Sequence, residues 1–394
     1  MFKSSIKQDN NDPDIIFYNA QILCDRTEDQ GADNDPIIRF AENRPSGVVD
    51  DISKYDFSIV RFTLNGSGAD LPLFIPKIME NQSDPNKTIY SVTLAFNNIT
   101  SSQVFINYAS ESINATVPQP PMNGKTQDLN SKYYYVYTYQ HMVDLVNIAL
   151  ETAFSNLQRQ VQSTYGVFIT KQPNMQYNPV TGLFSLYTDS YGFGEYDRTS
   201  QGSAKDENFT LYFNSNMYHL FRNFSNQYIG GEQFGMTNKI LIQNKLGLNT
   251  YTDPVGTKYY VTTQDYISTS TGWAAVSAIV FASTMIPIVA EAMSAPVVFK
   301  SNVGNVTVTS NNLNQPIITD ISLPLDRADQ YKGFIQYNPS GEYRMSCLNG
   351  SGPLNMIDIG VYWRHRNGDL FPITMPNGAS CTLKIMFRKK KQYL

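Results

Sequence analysis

From about Asp320 to Leu394 the chain breaks into short β-branched and aromatic segments separated by turn residues, and this cadence limits what it can fold into. Ile321-Ser322-Leu323, Gly333–Tyr337, Glu342–Cys347, Met356–Trp363 and Cys381–Arg388 alternate with Asn338-Pro339-Ser340-Gly341, Gly350–Pro353 and Asn367-Gly368-Asp369. Such runs, bounded by Asn, Gly and Pro, predict antiparallel strands of a sandwich or barrel. Almost none of these residues could carry a reaction. The segment reads as part of a shell or binding module.

The same texture occurs early. Ile15–Tyr18 and Ala20–Cys24 read as a first extended segment after a polar arm, and Phe57–Leu64, Ile89–Phe96 and Val104–Tyr108 read as further strands. Leu71–Ile78 contains Pro72 and Pro76, which lack ladder donors and place that piece at an edge or in a loop. The Pro/Gly cluster Val117–Gly124 reads as a linker. Beyond it, His141–Gln162 sets Met142, Leu145, Val146, Ala149, Leu150, Ala153, Phe154 and Leu157 on one face at helical spacing. Met175–Tyr187 reads as a hairpin turning at Asn178–Gly182, and a short helix is expected near Met217–Phe224. The β texture resumes at Trp273. Neither flanking β part has enough strands to close a core, so the order implies one sandwich interrupted by an insertion. The division expected is 1–49, an arm and first extended segment; 50–118, the first part of the sandwich; 119–270, an inserted mixed α/β domain; and 271–394, the second part with a basic tail.

Composition narrows the function. Charged residues are 16% of the 394, against about 25% in ordinary soluble domains. The 26 Tyr and 22 Phe are many, and Tyr buries a ring while keeping a polar tip, which suits sheet surfaces and large polar interfaces. A net charge of −4 gives no mandate for nucleic acid or an anionic membrane. Met1-Phe2-Lys3-Ser4-Ser5 leads into a polar, acidic stretch, so no secretory signal is expected. Trp273–Ala290 has roughly the length of a ~20-residue membrane span. Ser277, Ser283, Thr284 and Pro287, with no flanking basic anchors, favour a buried strand bent at Pro287.

Catalytic and metal chemistry find little support. The three histidines, His141, His219 and His365, make no H-x-x-x-H or H-x-H spacing, and there is no C-x-x-C. His365 lies between Arg364 and Arg366, which disfavour its protonation, and a solvated turn or interface position is expected. Cys24, Cys347 and Cys381 are odd in number and widely spaced; free buried thiols are expected, with Cys347–Cys381 pairing as the alternative. Asp320, Asp326 and Asp329 could form an acid/base group, but a polar loop with an Asp326–Arg327 ion pair explains the same residues. Asp25–Asp35 and Asp50-Asp51 match no calcium-loop pattern. Arg388–Lys391 suit a solvated end or an electrostatic contact with a neighbouring subunit, nonspecific nucleic-acid contact being the alternative. No catalytic, cofactor or metal residue is assigned.

Pro324-Leu325-Asp326-Arg327, Gly333–Pro339, Ile357–Trp363 and Leu383–Lys390, with the helix and the Tyr177–Phe184 hairpin ahead of them, resemble the penton (minor virion, vertex capsid) proteins of Sputnik-type virophages and their polinton and adintovirus relatives. The resemblance covers most of 50–390 in layout, and its motifs are structural. It implies a mainly β chain: a single jelly roll standing upright to the capsid surface, with the inserted domain on the outside. It further implies a homopentamer at each icosahedral vertex, beside major capsid proteins with a double jelly roll, in virions assembled in the host cytoplasm or virus factory. It offers no catalytic residues and no cofactor. Two other readings stay open: a host-receptor or glycan-binding module using exposed Tyr and Asn of 170–260, and a β-sandwich enzyme resting on isolated carboxylates.

Overall fold

The computed structural model describes residues 14–26, 35–66, 71–112, 115–165, 170–193, 209–242, 249–267, 273–288, 297–299, 306–308, 316–322, 334–338 and 344–390. They form two compact units, one from the residues up to Leu71 and from Ala275 onward, the other from Pro72–Ala274.

The first unit is a jelly roll of two antiparallel sheets. In one sheet Ser380–Lys389 lies between Ile15–Leu23 and Tyr55–Asn65, while Phe334–Tyr337 and Ser346–Cys347 pair along the far side of Tyr55–Asn65. Ile15 stands opposite Arg388 and Leu23 opposite Ser380; on the other side the ladder shifts by one residue between Ile59 and Arg61. In the second sheet Met356–His365 lies between Arg39–Asn43 and Val276–Ala282, with Ile317–Ser322 beyond. Period-two alternation turns Phe57, Ile59, Phe62 and Leu64 inward from one sheet and Ile279, Phe281, Ile359, Val361 and Trp363 from the other, all of them buried. Phe62 meets Phe281 edge to face with ring centroids 5.0 Å apart, which ties the sheets together.

Ala278–Ala282 is buried on both faces, as its unbroken apolar run implies. The chain turns at Ser283, whose Oγ accepts the N–H groups of Met285 at 3.2 Å and Ile286 at 2.9 Å, ahead of the expected bend at Pro287. No helix among the described residues is long and apolar enough to cross a membrane. On Met356–His365 the buried carboxylate of Asp358 accepts from Arg39 Nε at 2.6 Å, Arg39 Nη2 at 2.9 Å and Thr284 Oγ1 at 3.3 Å. The guanidinium hydrogen bonds outweigh burial and hold this carboxyl below the usual carboxylate range.

The second unit holds the helix Tyr139–Tyr165 and two sheets. One has Lys87–Phe96 and Phe209–Phe213 at its centre, with Met236–Ile240 and Asn226–Gly231 on one side and Ile99–Thr100 and Val104–Asn107 on the other. The other runs Thr250–Thr252, Lys258–Thr263, Leu183–Asp189, Asn174–Asn178. All eight apolar positions of the expected helical stripe are buried. Asn147, on the same helix, holds the edge of the second sheet by accepting the Met175 N–H at 2.7 Å and donating to its carbonyl at 3.0 Å. Trp273 plugs the core: its ring stacks on Phe184 at 5.5 Å, touches Phe74, Tyr139 and Phe221, and its Nε1 donates to the Leu220 carbonyl at 3.0 Å. Three consecutive tyrosines are buried with their tips satisfied. Tyr133 donates to Asn86 Oδ1 at 2.7 Å, Tyr134 to the Pro85 carbonyl at 2.8 Å and Tyr135 to the Leu129 carbonyl at 3.0 Å.

Two expected boundaries are corrected. Lys87–Phe96 and Val104–Asn107 belong to the second unit, because Lys87–Phe96 pairs with Phe209–Phe213 rather than with a sandwich strand. The proline-bearing stretch from Pro72 opens that unit. Val117–Gly124 is an internal loop of it: Asn81 N donates to the Pro121 carbonyl at 2.8 Å, and Asn123 N to Asn81 Oδ1 at 2.9 Å. At the other end, Ile15–Leu23 and Arg39–Asn43 are integral strands of the jelly roll, one in each sheet, not a segment preceding it. Of the polar arm expected at 1–14, residues 1–13 lie outside the described residues.

Phe62→Ala removes the ring that joins the sheets and is expected to lower unfolding stability by about 3–5 kcal/mol, read by urea denaturation, with near-wild-type behaviour the contrary result. For Asp358 the native pKa lies below the unfolded one, so its contribution is complete above the unfolded pKa of about 4. It is lost as pH falls through the lower native value. Thermal melts from pH 7 to pH 2 should therefore show an acid-side drop that shrinks in Asp358→Asn, and identical pH slopes in the two proteins would contradict the assignment.

Candidate functional site

The sheet that carries Phe184, Leu186 and Tyr260 on its buried face presents a different set on its other face. Tyr187 stands opposite Asn174 on one neighbouring strand, Ser185 opposite Gln176, and Tyr259 opposite both Asp189 and Tyr251. Because paired residues share a face, these side chains converge on one surface. Of these, Asn174, Gln176, Tyr187, Tyr251 and Tyr259, with Phe154 of the helix and Thr170–Gln172, line a groove of about 570 Å³ that also includes Asp253. The rings are inclined: Tyr187 and Tyr251 are perpendicular with centroids 5.8 Å apart, and Tyr251 and Tyr259 lie at 35° and 6.3 Å. Tyr251 is 47% exposed.

Two carboxylates hold the walls. Asp189 is buried and accepts from Thr170 Oγ1 at 2.9 Å, the Lys171 N–H at 2.8 Å and the Tyr191 N–H at 3.1 Å, fixing the 170–171 wall. Asp253 Oδ1 accepts the N–H groups of Val255 at 3.0 Å and Thr257 at 2.7 Å, which closes the turn between Thr250–Thr252 and Lys258–Thr263. Burial, with the nearby charge of Asp253 second, raises the Tyr259 hydroxyl above its ordinary pKa, so it stays a neutral donor at physiological pH.

A second exposed feature lies in the jelly roll. Among the described residues Ile15–Leu23 is an edge strand, nine residues without a charge or a proline, and Ile15, Phe17 and Leu23 are about half exposed on its outward side. Lys384 Nζ sits 4.4 Å above the Phe17 ring. At the opposite edge of the same sheet Phe334 is exposed as well.

The residues weighed from sequence fall elsewhere. Asp320 accepts from Arg344 at 3.1 Å and Arg364 at 2.7 Å, a structural ion-pair cluster; Asp326, Arg327 and Asp329 lie outside the described residues. His365 is half-buried at the turn, where its carbonyl accepts the Gly368 N–H at 2.8 Å, and burial, ahead of the neighbouring Arg366, lowers its pKa. The cysteines are unpaired, but Cys347 is exposed instead of buried, while burial pushes the Cys381 thiol up to about 12. Arg26 pairs with Asp35 across the acidic loop, whose middle lies outside the described residues. Arg388 and Lys389 close the strand Ser380–Lys389, and Lys390 Nζ donates to the Leu348 carbonyl at 3.1 Å, so this basic run is built into the jelly roll; Lys391 is not among the described residues. Sequence reasoning pointed only to the exposed Tyr and Asn of 170–260 as a group; which tyrosines meet was not readable, since strand pairing over such separations leaves no local mark.

Comparison with known proteins gives this fold a family. The model of the Sputnik minor capsid protein V18/19 family matches residues 16–389. Two Sputnik virophage proteins are 31% identical: the uncharacterized protein V18 over 163 residues, covering 41% of this chain and 93% of V18, and the structural protein V19 over 149 residues, covering 37% of this chain and 65% of V19. A chain in the cryo-EM structure of the Sputnik virophage superposes with a TM-score of 0.77 at 27% identity, covering 96% of this chain and 99% of that one. The mavirus penton protein shares the fold, with a TM-score of 0.62 at 17% identity over 95% of this chain and 99% of that one. The chain therefore belongs to the Sputnik minor capsid protein V18/19 family, and is a structural component of a virion capsid rather than an enzyme.

Proposed function

We propose that the chain forms the homopentameric penton of an icosahedral virion, its jelly roll making the ring and its second unit facing outward. The observation that carries this reading is the edge strand Ile15–Leu23. Nine uncharged residues whose outer hydrogen-bonding side meets no strand among the described residues, with three exposed apolar side chains, are an aggregation hazard unless an assembly covers them. A closed ring joins two unlike surfaces of each subunit. The jelly roll offers such a pair, with Ile15, Phe17 and Leu23 along one edge and Phe334 at the other.

In this reading the outer neighbours are major capsid proteins of double-jelly-roll type, and assembly takes place in the host cytoplasm or virus factory. The basic end Arg388–Lys390 makes at most a weak contact with packaged DNA, since two of its three cations are strand residues and the third is hydrogen-bonded.

Native mass spectrometry of the full-length protein should find pentamers, and a virion reconstruction should place the chain on the fivefold axis. Phe17→Asp combined with Leu23→Asp is expected to leave a folded monomer, with stability within about 0.5 kcal/mol per exposed site. A chain found only as monomers or trimers, and absent from the fivefold axis, would sink the proposal.

A further inference from the structure

We propose that the groove over Tyr187, Tyr251 and Tyr259 is a binding site for a neutral glycan. This does not rest on the vertex reading, because every residue it uses belongs to the second unit.

The opposite face of the sheet explains what is unusual here. Phe184 stacks on Trp273 in the core and Tyr260 is buried on the same face, so the other face is free to carry charged residues, as exposed sheet faces commonly do. It carries three tyrosines instead. Their rings meet at different inclinations, and Tyr251, nearly half exposed, leaves part of its ring open beside the perpendicular ring of Tyr187. The electropositive C–H groups on one side of a pyranose ring match such a π-face.

The fringe supplies the complementary polar chemistry. Asn174 and Gln176 lie two residues apart on one strand and point to the same face, and each side-chain amide both donates and accepts. A vicinal diol needs both roles. A volume of about 570 Å³ lies inside the range of small-ligand pockets, roughly 300–1,000 Å³. The walls are fixed in advance by the Asp189 and Asp253 hydrogen bonds, so little ordering is required on binding.

Charge selects among ligand classes. The lining contains one cation, Lys171, and one anion, Asp253. Their balance disfavours sialylated or sulfated glycans, and a single lysine does not make the cationic track that single-stranded nucleic acid requires. A proline-rich peptide is favoured by an aromatic slot with few polar groups, whereas amides and a carboxylate occupy much of this rim.

The test is an array of neutral glucose-, galactose-, mannose- and N-acetylglucosamine-terminated oligosaccharides, with sialylated and sulfated glycans and a proline-rich peptide alongside, probed with the full-length protein and followed by calorimetry on any hit. Saturable binding to at least one neutral glycan is expected. Tyr251→Ala should weaken it about tenfold, the worth of one aromatic contact, while Tyr251→Phe keeps the ring and restores it. Both variants should keep the wild-type melting curve, since Tyr251 is half exposed. Binding to no neutral glycan, binding only to charged glycans or to the peptide, or neutral binding unchanged in Tyr251→Ala would each overturn the proposal. None of these results bears on the oligomeric state, so the vertex reading is tested separately.

Discussion

The strand Ser380–Lys389 has the opening strand Ile15–Leu23 on one side and Tyr55–Asn65 on the other, and the rest of the jelly roll depends on that placement. Its inward side chains Cys381, Leu383, Ile385 and Phe387 are buried, so without it one sheet loses its middle and Phe57, Phe62 and Leu64 lose their cover. The contact joins the two ends of the described chain. Closure of so long a loop is tolerable because its entropic penalty grows only logarithmically, about 0.6 kcal/mol for each doubling of length. A self-contained unit can therefore sit between Tyr55–Asn65 and Val276–Ala282 at small thermodynamic expense. The larger consequence is kinetic, since a sheet dominated by long-range pairing forms slowly and leaves Ile15–Leu23 uncovered until its last partner arrives.

The second unit solves a different problem. It has many tyrosines to bury and few charges with which to stay soluble, and it distributes the rings by the tips they carry. Tyr133, Tyr134 and Tyr135 are buried because each hydroxyl reaches a carbonyl or an amide oxygen. Burial leads the causes that raise the Tyr134 hydroxyl to about 12, which keeps it a neutral donor over the whole physiological range. Tyr187, Tyr251 and Tyr259 instead occupy the outer face of a sheet whose inner face is already filled by Phe184, Leu186 and Tyr260. Period-two alternation thus puts tyrosine to work as core on one side and as surface on the other.

Much of this was legible in the sequence. The helix from Tyr139 follows from its apolar spacing, and the Asn178–Gly182 hairpin follows from turn chemistry: Asn178 Oδ1 accepts the Val180 N–H at 2.9 Å, and Gly182 takes a φ of +71° that favours glycine. Mainly β architecture and membership of a capsid family were readable from strand cadence and motif residues. The boundary of the insertion was not. Lys87–Phe96 has the same β-branched composition as a jelly-roll strand, and only its pairing with Phe209–Phe213 shows where it belongs. Proline and glycine mark turns of either kind, so Val117–Gly124 looked like a linker although it is tied into a single unit. The groove was hidden for the same reason, because Tyr187, Tyr259 and Tyr251 become neighbours only through register.

The two exposed features differ in what can satisfy them. An edge strand presents backbone donors and acceptors in a row, together with apolar side chains whose cover must extend along its length. Only another macromolecular surface of matching extent does that, and it does so without reading chemical detail. The groove presents no free ladder. Its donors and acceptors are side-chain amides, hydroxyls, one ammonium and one carboxylate placed around inclined rings. A partner there is chosen by the placement of its polar groups, not by its area. If the proposed ring and ligand hold, assembly and recognition can change independently: substitutions at the rim of the groove would alter the ligand without touching the strand order, while substitutions on Ile15–Leu23 would alter the ring without touching the groove. For a capsid protein that separation has a physical use, because the contact that closes the shell must be the same in every particle, whereas a contact with anything outside is free to vary.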